Sequence, residues 1–154
     1  MRRFKDIIHH DPYFVTPETT VKELTRELVE RQVAGCPVLD GQGKVVGVVS
    51  FTDIAVKQLF PRPGEVLPDR EELLVKDIMT SPALTIGHDS NVAHAVELFD
   101  KHRVQRLIVT DGERLVGIIT PWDLMTVLQE RIPAGTPGAR SSPPPPRRSI
   151  SLGA

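Results

Sequence analysis

The feature that most constrains this chain is an internal repeat. Residues 47–53 read GVVSFTD and residues 117–123 read GIITPWD. Each copy places a glycine, two β-branched residues, a hydroxyl residue and an aspartate in the same order. Self-similarity of this kind indicates a duplicated structural unit, and it has to be traced before any fold is assigned.

The repeat continues beyond this motif. Residues 5–8 (KDII) match residues 76–79 (KDIM), and residues 33–40 (VAGCPVLD) match residues 104–111 (VQRLIVTD). The copies differ in length only in loops, where insertions are tolerated, and together they cover residues 4–130. A unit of about 55 residues buries too little surface to be more than marginally stable alone. We therefore expect the two units to pack as one pseudo-symmetric domain, with a cleft along the approximate two-fold axis.

Each unit shows the same order of predicted elements. A short helical turn and a short extended piece precede an amphipathic helix, in which apolar residues such as Val21, Leu24 and Leu28 recur at helical spacing. Two strands joined by an Asp-Gly turn follow, and another helix begins at the end of the motif. The strands are nearly continuous apolar runs, so we expect burial on both faces. The order predicts a mixed α/β (α+β) fold. The predicted turns, extended pieces and strands are residues 4–8, 13–16, 36–39 and 45–50 in the first unit, and 75–79, 83–86, 107–110 and 115–120 in the second.

Composition divides the chain further. We expect the first unit at residues 1–60, a proline-containing linker at 61–72 and the second unit at 73–132. Residues 133–154 contain six prolines, three arginines and no acid. Such a segment cannot bury enough apolar surface to order itself, so it is predicted to be a disordered tail.

Charge and hydropathy exclude several classes of protein. The net charge of −1 gives no general reason to bind nucleic acid or a membrane surface. No apolar run reaches the roughly 18 residues of a membrane-spanning helix. Cys36 is the single cysteine, which excludes an intrachain disulfide and suits a reducing compartment. We expect a cytoplasmic protein.

The motif has two compatible interpretations. Ser50 with Asp53, and Thr120 with Asp123, have the spacing of a helix capping box, and Pro121 suits the first position of a helix. The same geometry suits a nucleotide, because free N–H groups at a helix N-terminus attract phosphate. A nearby carboxylate can also accept hydrogen bonds from both hydroxyls of a ribose.

The other reactive side chains predict no metal or catalytic site. The histidines lack metal-ligand spacing, and His94 and His102 align with polar residues, so we expect them to face solvent. Cys36 has no histidine partner in the pattern, which favours a buried thiol over a nucleophile. Trp122 could stack on a base, but packing at the helix start is favoured. Without a catalytic constellation, no enzyme activity is predicted.

The duplicated motif, in register with the whole repeat, resembles a tandem pair of CBS domains, the Bateman module. The resemblance implies β-α-β-β-α units with two clefts that bind adenosine-containing ligands: AMP, ADP, ATP or S-adenosylmethionine. It implies no required cofactor besides such a regulatory ligand, and it implies a homodimer. Each cleft takes its base contacts from one unit and its ribose aspartate from the other.

Carried over residue by residue, the resemblance implies two ligand-binding sets. Arg106 stands where the first unit has Gly35, and related proteins often carry two basic residues there, so we expect one better site and one poorer or empty site. Cleft one comprises Tyr13, Val33, Ala34, Gly35 and Cys36 at the base, with Thr120 and Asp123 at phosphate and ribose. Cleft two comprises Ala83, Val104, Gln105 and Arg106 at the base, with Ser50 and Asp53.

Two functions follow from these observations. The first is a regulatory sensor, in which a bound adenine nucleotide shifts the units and so alters a partner protein or the geometry of a dimer. The second is a structural interaction or dimerisation module with empty clefts, which the capping interpretation and the missing second basic residue favour. Nucleotide-induced stabilisation would distinguish the two.

Overall fold

The computed structural model describes residues 3–65 and 73–131, and its elements follow the predicted β-α-β-β-α order. The first unit contains a 3-10 helix (Phe4–Ile7), β1 (His9–His10), α1 (Val21–Arg31), β2 (Gly35–Leu39), β3 (Val45–Ser50) and α2 (Phe51–Leu59). The second contains α3 (Val75–Ile78), β4 (Thr85–Gly87), α4 (Val92–His102), β5 (Leu107–Asp111), β6 (Arg114–Ile119) and α5 (Pro121–Arg131). The fold is α+β, as predicted.

The strands form two sheets of unequal size. Strands β2 and β3 form a two-stranded antiparallel sheet, and the second sheet has the order β1-β6-β5-β4. Strand β4 runs parallel to β5. The extended piece predicted at residues 13–16 forms only an isolated parallel bridge, from Val15 to Val38. That bridge takes the place in the first unit that the β4–β5 pairing has in the second.

The initial segment of each unit pairs with the other unit. Strand β1 lies antiparallel to β6, with His9 opposite Ile118. In the equivalent place, Thr80 forms an antiparallel bridge to Val48 in β3. The two units therefore exchange their first segments.

The hydrophobic cores follow the same exchange. Phe4, Ile7 and Ile8 belong to the core of the second unit, together with residues of β5, β6 and α5. Leu73 and Val75 belong to the core of the first unit, together with residues of α1, β2 and β3. Each unit thus completes its core with residues that lie at the start of the other in sequence.

The exchange explains the glycine of the repeated motif. A Cβ atom on Gly117 would lie 2.6 Å from Ile8 Cγ2 and closer still to the backbone oxygen of His9. A Cβ atom on Gly47 would lie 2.8 Å from the backbone oxygen of Thr80. Backbone cannot give way as a flexible side chain can, so the motif needs glycine where the exchanged segment crosses the strand.

Burial of the strands matches the prediction only in part. Strand β2 is buried along its whole length, and β5 is buried except at Asp111. The prediction is wrong for β3 and β6, in which buried residues alternate with partly exposed ones. Successive strand residues face opposite sides, and Val48 and Ile118 on the partly exposed sides line cavities between the units.

The predicted linker and tail lie mostly outside the described residues. Within residues 61–65 the chain turns at Gly64, whose φ is 82°. Residues 66–72 of the predicted linker, and the tail predicted at 133–154, lie beyond the described ranges. Within the described residues, 3–65 and 73–131, no helix has the length and apolar character needed to cross a membrane.

Candidate functional site

The repeated motif caps a helix in both units. At the start of α5, Asp123 Oδ2 accepts hydrogen bonds from the Thr120 backbone N–H at 2.8 Å and from the Thr120 hydroxyl at 2.9 Å. At the start of α2, Asp53 Oδ2 accepts from the Ser50 backbone N–H at 2.8 Å and from its hydroxyl at 3.1 Å. Pro121 is the first residue of α5. The capping interpretation is confirmed for both copies, and each carboxylate is held in one orientation.

The second oxygen of each aspartate contacts the segment exchanged from the other unit. Asp123 Oδ1 lies 2.7 Å from His9 Nε2, and Asp53 Oδ1 accepts a hydrogen bond from the Thr80 hydroxyl at 3.3 Å. The Asp123 side chain is only 12% exposed. One carboxylate oxygen therefore holds the helix, while the other lies at the junction between the units.

Cleft one is a cavity of about 620 Å³ between the first unit and the start of α5. Five of the predicted ligand-binding residues line it: Tyr13, Val33, Ala34, Gly35 and Thr120. Asp123, which was also predicted, is not among the residues that line the cavity, but its carboxylate is hydrogen bonded to two that are, Thr120 and His9. The remaining lining residues are Pro12, Arg31, Gln32, Pro37, Arg106 and Ile118.

Cys36 does not line cleft one. Alternate residues of a strand point to opposite faces, so Gly35 and Pro37 face the cavity while Cys36 packs in the core of the first unit. Burial raises the pKa of its thiol to about 12, which keeps the thiol protonated and unreactive. The predicted buried thiol is confirmed, whereas the predicted position of this side chain beside a base differs from the structure.

Cleft two is the pseudo-symmetric cavity, with a volume of about 480 Å³. Ala83 is not among the residues that line it, because a methyl group does not reach as far as the Tyr13 ring does in cleft one. The predicted residues that do line it are Ser50, Asp53, Val104, Gln105 and Arg106, and the others are Ala34, Val48, Phe51, Thr52, Thr80 and Arg103.

Arg106 lines both cavities, although the sequence placed it in cleft two alone. Burial lowers the pKa of Arg106, and no carboxylate of the described residues contributes to that pKa or pairs with the guanidinium. A guanidinium nevertheless stays charged in proteins. A partly buried cation without a counter-charge is unfavourable, and it is the arrangement that a carboxylate or phosphate ligand would complete.

The duplication also matches a known family. The CBS domain matches the chain twice, over residues 4–58 and 75–130. This chain belongs to the CBS domain family. The tandem CBS pair predicted from the repeat is confirmed.

Two curated relatives share the CBS pair but are longer. An uncharacterized protein of Methanocaldococcus jannaschii is 30% identical over 129 residues, covering 83% of this chain and 40% of that protein. Inosine-5′-monophosphate dehydrogenase of the same organism is 30% identical over 126 residues, covering 81% of this chain and 23% of the enzyme. The chain thus spans less than half the length of these relatives.

A solved CBS-pair structure shares the fold over nearly its full length. CBSX2 of Arabidopsis thaliana is known from a crystal structure in complex with AMP. It matches this chain with a TM-score of 0.71 at 26% sequence identity, covering 85% of this chain and 98% of CBSX2.

The unpredicted residues at the clefts of this CBS pair include three polar side chains with specific contacts: His9, Thr80 and Arg31. His9 and Thr80 both follow the matched runs at residues 5–8 and 76–79, and that shared position is the signal that could have found them. The guanidinium carbon of Arg31 lies 4.4 Å from the centroid of the Tyr13 ring. Such a cation–π contact joins separate elements, so spacing along the chain does not reveal it.

The remaining predictions for single side chains had different outcomes. His94 and His102 are exposed on α4, as predicted. Trp122 is 70% exposed, so the prediction that it packs at the helix start is wrong. It lies about 200° around α5 from the buried Leu124, at 100° per residue. Across residues 3–65 and 73–131, no group of His, Cys, Asp or Glu side chains is arranged to hold a metal ion.

Proposed function

We propose that this CBS pair is a regulatory module that binds an adenosine-containing ligand and acts on a partner protein through a ligand-dependent rearrangement of its two units. AMP, ADP, ATP and S-adenosylmethionine are the candidate ligands. The rearrangement regulates the partner only if the partner binds the two states with different affinity.

Among the residues that the structure describes, no carboxylate pairs with the Arg106 guanidinium, and this is the observation that carries the proposal. A purely structural module would gain nothing from a partly buried cation, because removing an unpaired charge from water is unfavourable. A ligand phosphate would supply the counter-charge, since a planar guanidinium can donate two parallel hydrogen bonds to it.

Different residues of cleft one would bind the base, the ribose and the phosphate of the ligand. The adenine ring would lie against Tyr13, Val33 and Ala34, where an aromatic surface is available for stacking. The ribose hydroxyls would donate to Asp123 Oδ1 beside His9. The phosphate would lie at Thr120, where the N-terminus of α5 favours an anion, within reach of the Arg106 guanidinium.

Cleft two would use Ser50, Asp53, Val104 and Gln105 in the same roles. We propose that it is the poorer adenosine site, because Ala83 provides no aromatic surface in place of Tyr13. AMP is the first ligand to test, since CBSX2, which is 26% identical to this chain, was crystallised with AMP.

Thermal denaturation with AMP, ADP, ATP, GTP and S-adenosylmethionine tests this function. A ligand that binds only the folded state adds about 2.7 kcal/mol at a hundred times its dissociation constant. For a chain of this size we expect a rise in melting temperature of roughly 5–11 °C with one adenosine ligand and little change with GTP. The absence of a shift with every ligand would contradict the proposal.

Two matched variants assign the cleft. Asp123→Ala and Asp53→Ala each remove a capping carboxylate, so each should destabilise the free protein by about 1 kcal/mol. We expect Asp123→Ala to abolish the ligand-induced rise and Asp53→Ala to preserve it. The opposite result would place the better site in cleft two, and a full rise in both variants would refute ribose binding by these aspartates.

A ligand-free structural module is the alternative. The capping hydrogen bonds favour it, because they explain without any ligand why both copies of the motif have a hydroxyl residue followed three positions later by aspartate. Under this alternative none of the five compounds would change the melting temperature, and the function of the module would be to bind other protein chains.

We also propose a homodimer formed through the outer faces of the helices. Val29 and Leu59, on α1 and α2, are 71% and 69% exposed. Trp122 and Met125, on α5, are 70% and 52% exposed. Exposed apolar side chains that cluster on helical faces are typical of an interface.

Leu59→Asp is expected to convert the dimer into a monomer, because an unpaired charge in an apolar interface is strongly unfavourable. Light scattering should give twice the chain mass of 17.1 kDa for the wild type and a single chain mass for the variant. Gln42→Glu adds the same charge in the exposed β2–β3 turn and should leave the dimer intact. A wild type that has the mass of one chain would refute the dimer.

A regulatory rather than catalytic role agrees with the similarity to inosine-5′-monophosphate dehydrogenase, which covers only 23% of that enzyme. Cys36 is free and buried, which agrees with the cytoplasmic location that we propose.

A further inference from the structure

A single cation lies at both clefts. Arg106 lines cleft one beside Gly35 and Thr120, and it lines cleft two beside Ser50 and Asp53. Among the residues that the structure describes, no other arginine or lysine lines both cavities. Any phosphate in either cleft would therefore approach the same guanidinium.

The reach of Arg106 depends on the residue that matches it in the first unit. The repeat aligns Arg106 with Gly35, and a Cβ atom on Gly35 would lie 2.8 Å from Arg106 Nη1. Because Gly35 has no side chain, the guanidinium can lie against the wall of cleft one. A symmetric pair of clefts would have two such cations, whereas the described residues supply one that lies at both clefts.

The other arginines at the clefts are engaged elsewhere. Arg31, in cleft one, pairs with Glu27 at 3.2 Å (Nε to Oε2) and lies over the Tyr13 ring. Arg103, in cleft two, lies 4.0 Å from Asp100, and its side chain is 85% exposed. A solvated or paired cation contributes less to a bound phosphate than a partly buried unpaired one.

We propose that Arg106 couples the two clefts negatively toward phosphate-bearing ligands. A nucleotide in one cleft draws the guanidinium to its phosphate. A second nucleotide, in the other cleft, then has no unpaired guanidinium to bind, and its phosphate is repelled by the charge of the first phosphate. This coupling rests on the proposed function, and it is reciprocal between the clefts. Adenosine, which lacks phosphate, does not compete for Arg106 and binds the two clefts independently.

Titration calorimetry of the full chain with AMP and with adenosine tests the coupling. For AMP we expect one binding event per chain, followed by a second that is weaker by at least about tenfold, the loss of one charge-assisted interaction. For adenosine we expect two events whose dissociation constants differ less than those of AMP. In Arg106→Met the first AMP event should weaken to the affinity of adenosine. The ratio of the two AMP dissociation constants should fall to the ratio found for adenosine.

Arg26→Met is the matched control, because Arg26 is exposed on α1 and lines neither cleft. It should retain the tight and the weak AMP event, and circular dichroism should confirm that both variants are folded. Two equal AMP events in the wild type, or unequal ones that persist in Arg106→Met, would overturn the coupling while leaving the proposed function intact. A single event for adenosine as well as AMP would also overturn it, since one cleft would then be closed to both. No binding of either compound would overturn the coupling, and the denaturation series with all five ligands would then decide the proposed function separately.

Discussion

Gly117→Ala is expected to destabilise the protein by about 3 kcal/mol, the upper part of the range for overpacking, and so to lower the melting temperature by roughly 6–12 °C. The added methyl group would meet the backbone of His9 and the Ile8 side chain. Strand β1 would have to move away from β6, which breaks the pairing of His10 with Gly117 and loosens Ile8 from the core of the second unit. Differential scanning calorimetry measures the change directly.

Gly41→Ala is the matched control. No atom lies within 4 Å of the position that a Cβ on Gly41 would take, so this exposed substitution should change the stability by less than about 0.5 kcal/mol. Gly47→Ala, which meets the Thr80 backbone oxygen at 2.8 Å, should be destabilising in the same way as Gly117→Ala. Equal melting temperatures for Gly41→Ala and Gly117→Ala would show that the exchanged segment is not held against β6.

Phe4→Ala is expected to destabilise the protein by about 3–5 kcal/mol, the usual cost of removing a buried phenylalanine ring. Phe4 is 5% exposed and belongs to the core of the second unit, with Leu107, Ile119 and Val127. The unusual part of the expectation is its location. Amide hydrogen exchange should accelerate in β5 and β6, far along the chain from the substitution, because those strands lose the side chain that covers them.

Phe60→Ala removes the same ring from a position that is 73% exposed, so it should leave both the free energy of unfolding, measured by urea denaturation, and the exchange rates nearly unchanged. Unaltered protection of β5 and β6 in Phe4→Ala would contradict the exchange of segments. It would mean that residues 4–10 stabilise only the unit to which they belong in sequence.

The repeat made much of this fold predictable, because local features depend on neighbours within a few residues. Both helix caps and the burial of Leu24 and Leu28 in α1 follow from spacing. The exchange of segments does not follow from spacing. Strand β1 is two histidines long, which carries no period-two pattern, and its partner is chosen by packing across the whole chain.

The candidate site shows the same division. The resemblance to CBS pairs, carried over to equivalent positions of the two copies, predicted five of the twelve residues that line cleft one and five of the eleven that line cleft two. It could not show that Arg106 reaches both clefts, since this depends on the empty space at Gly35. It also placed Cys36 beside the ligand, because an alignment does not state which face of β2 each residue takes.

The exchange of initial segments also determines when folding can be completed during synthesis. His9 leaves the ribosome early, yet its hydrogen-bonding partner Asp123 follows 114 positions later. The first unit in turn waits for Leu73 and Val75 before its own core is complete. The polypeptide therefore matures as one product rather than as two domains finished in succession. A gene that lost either copy of the duplication would leave the surviving copy without its closing segment.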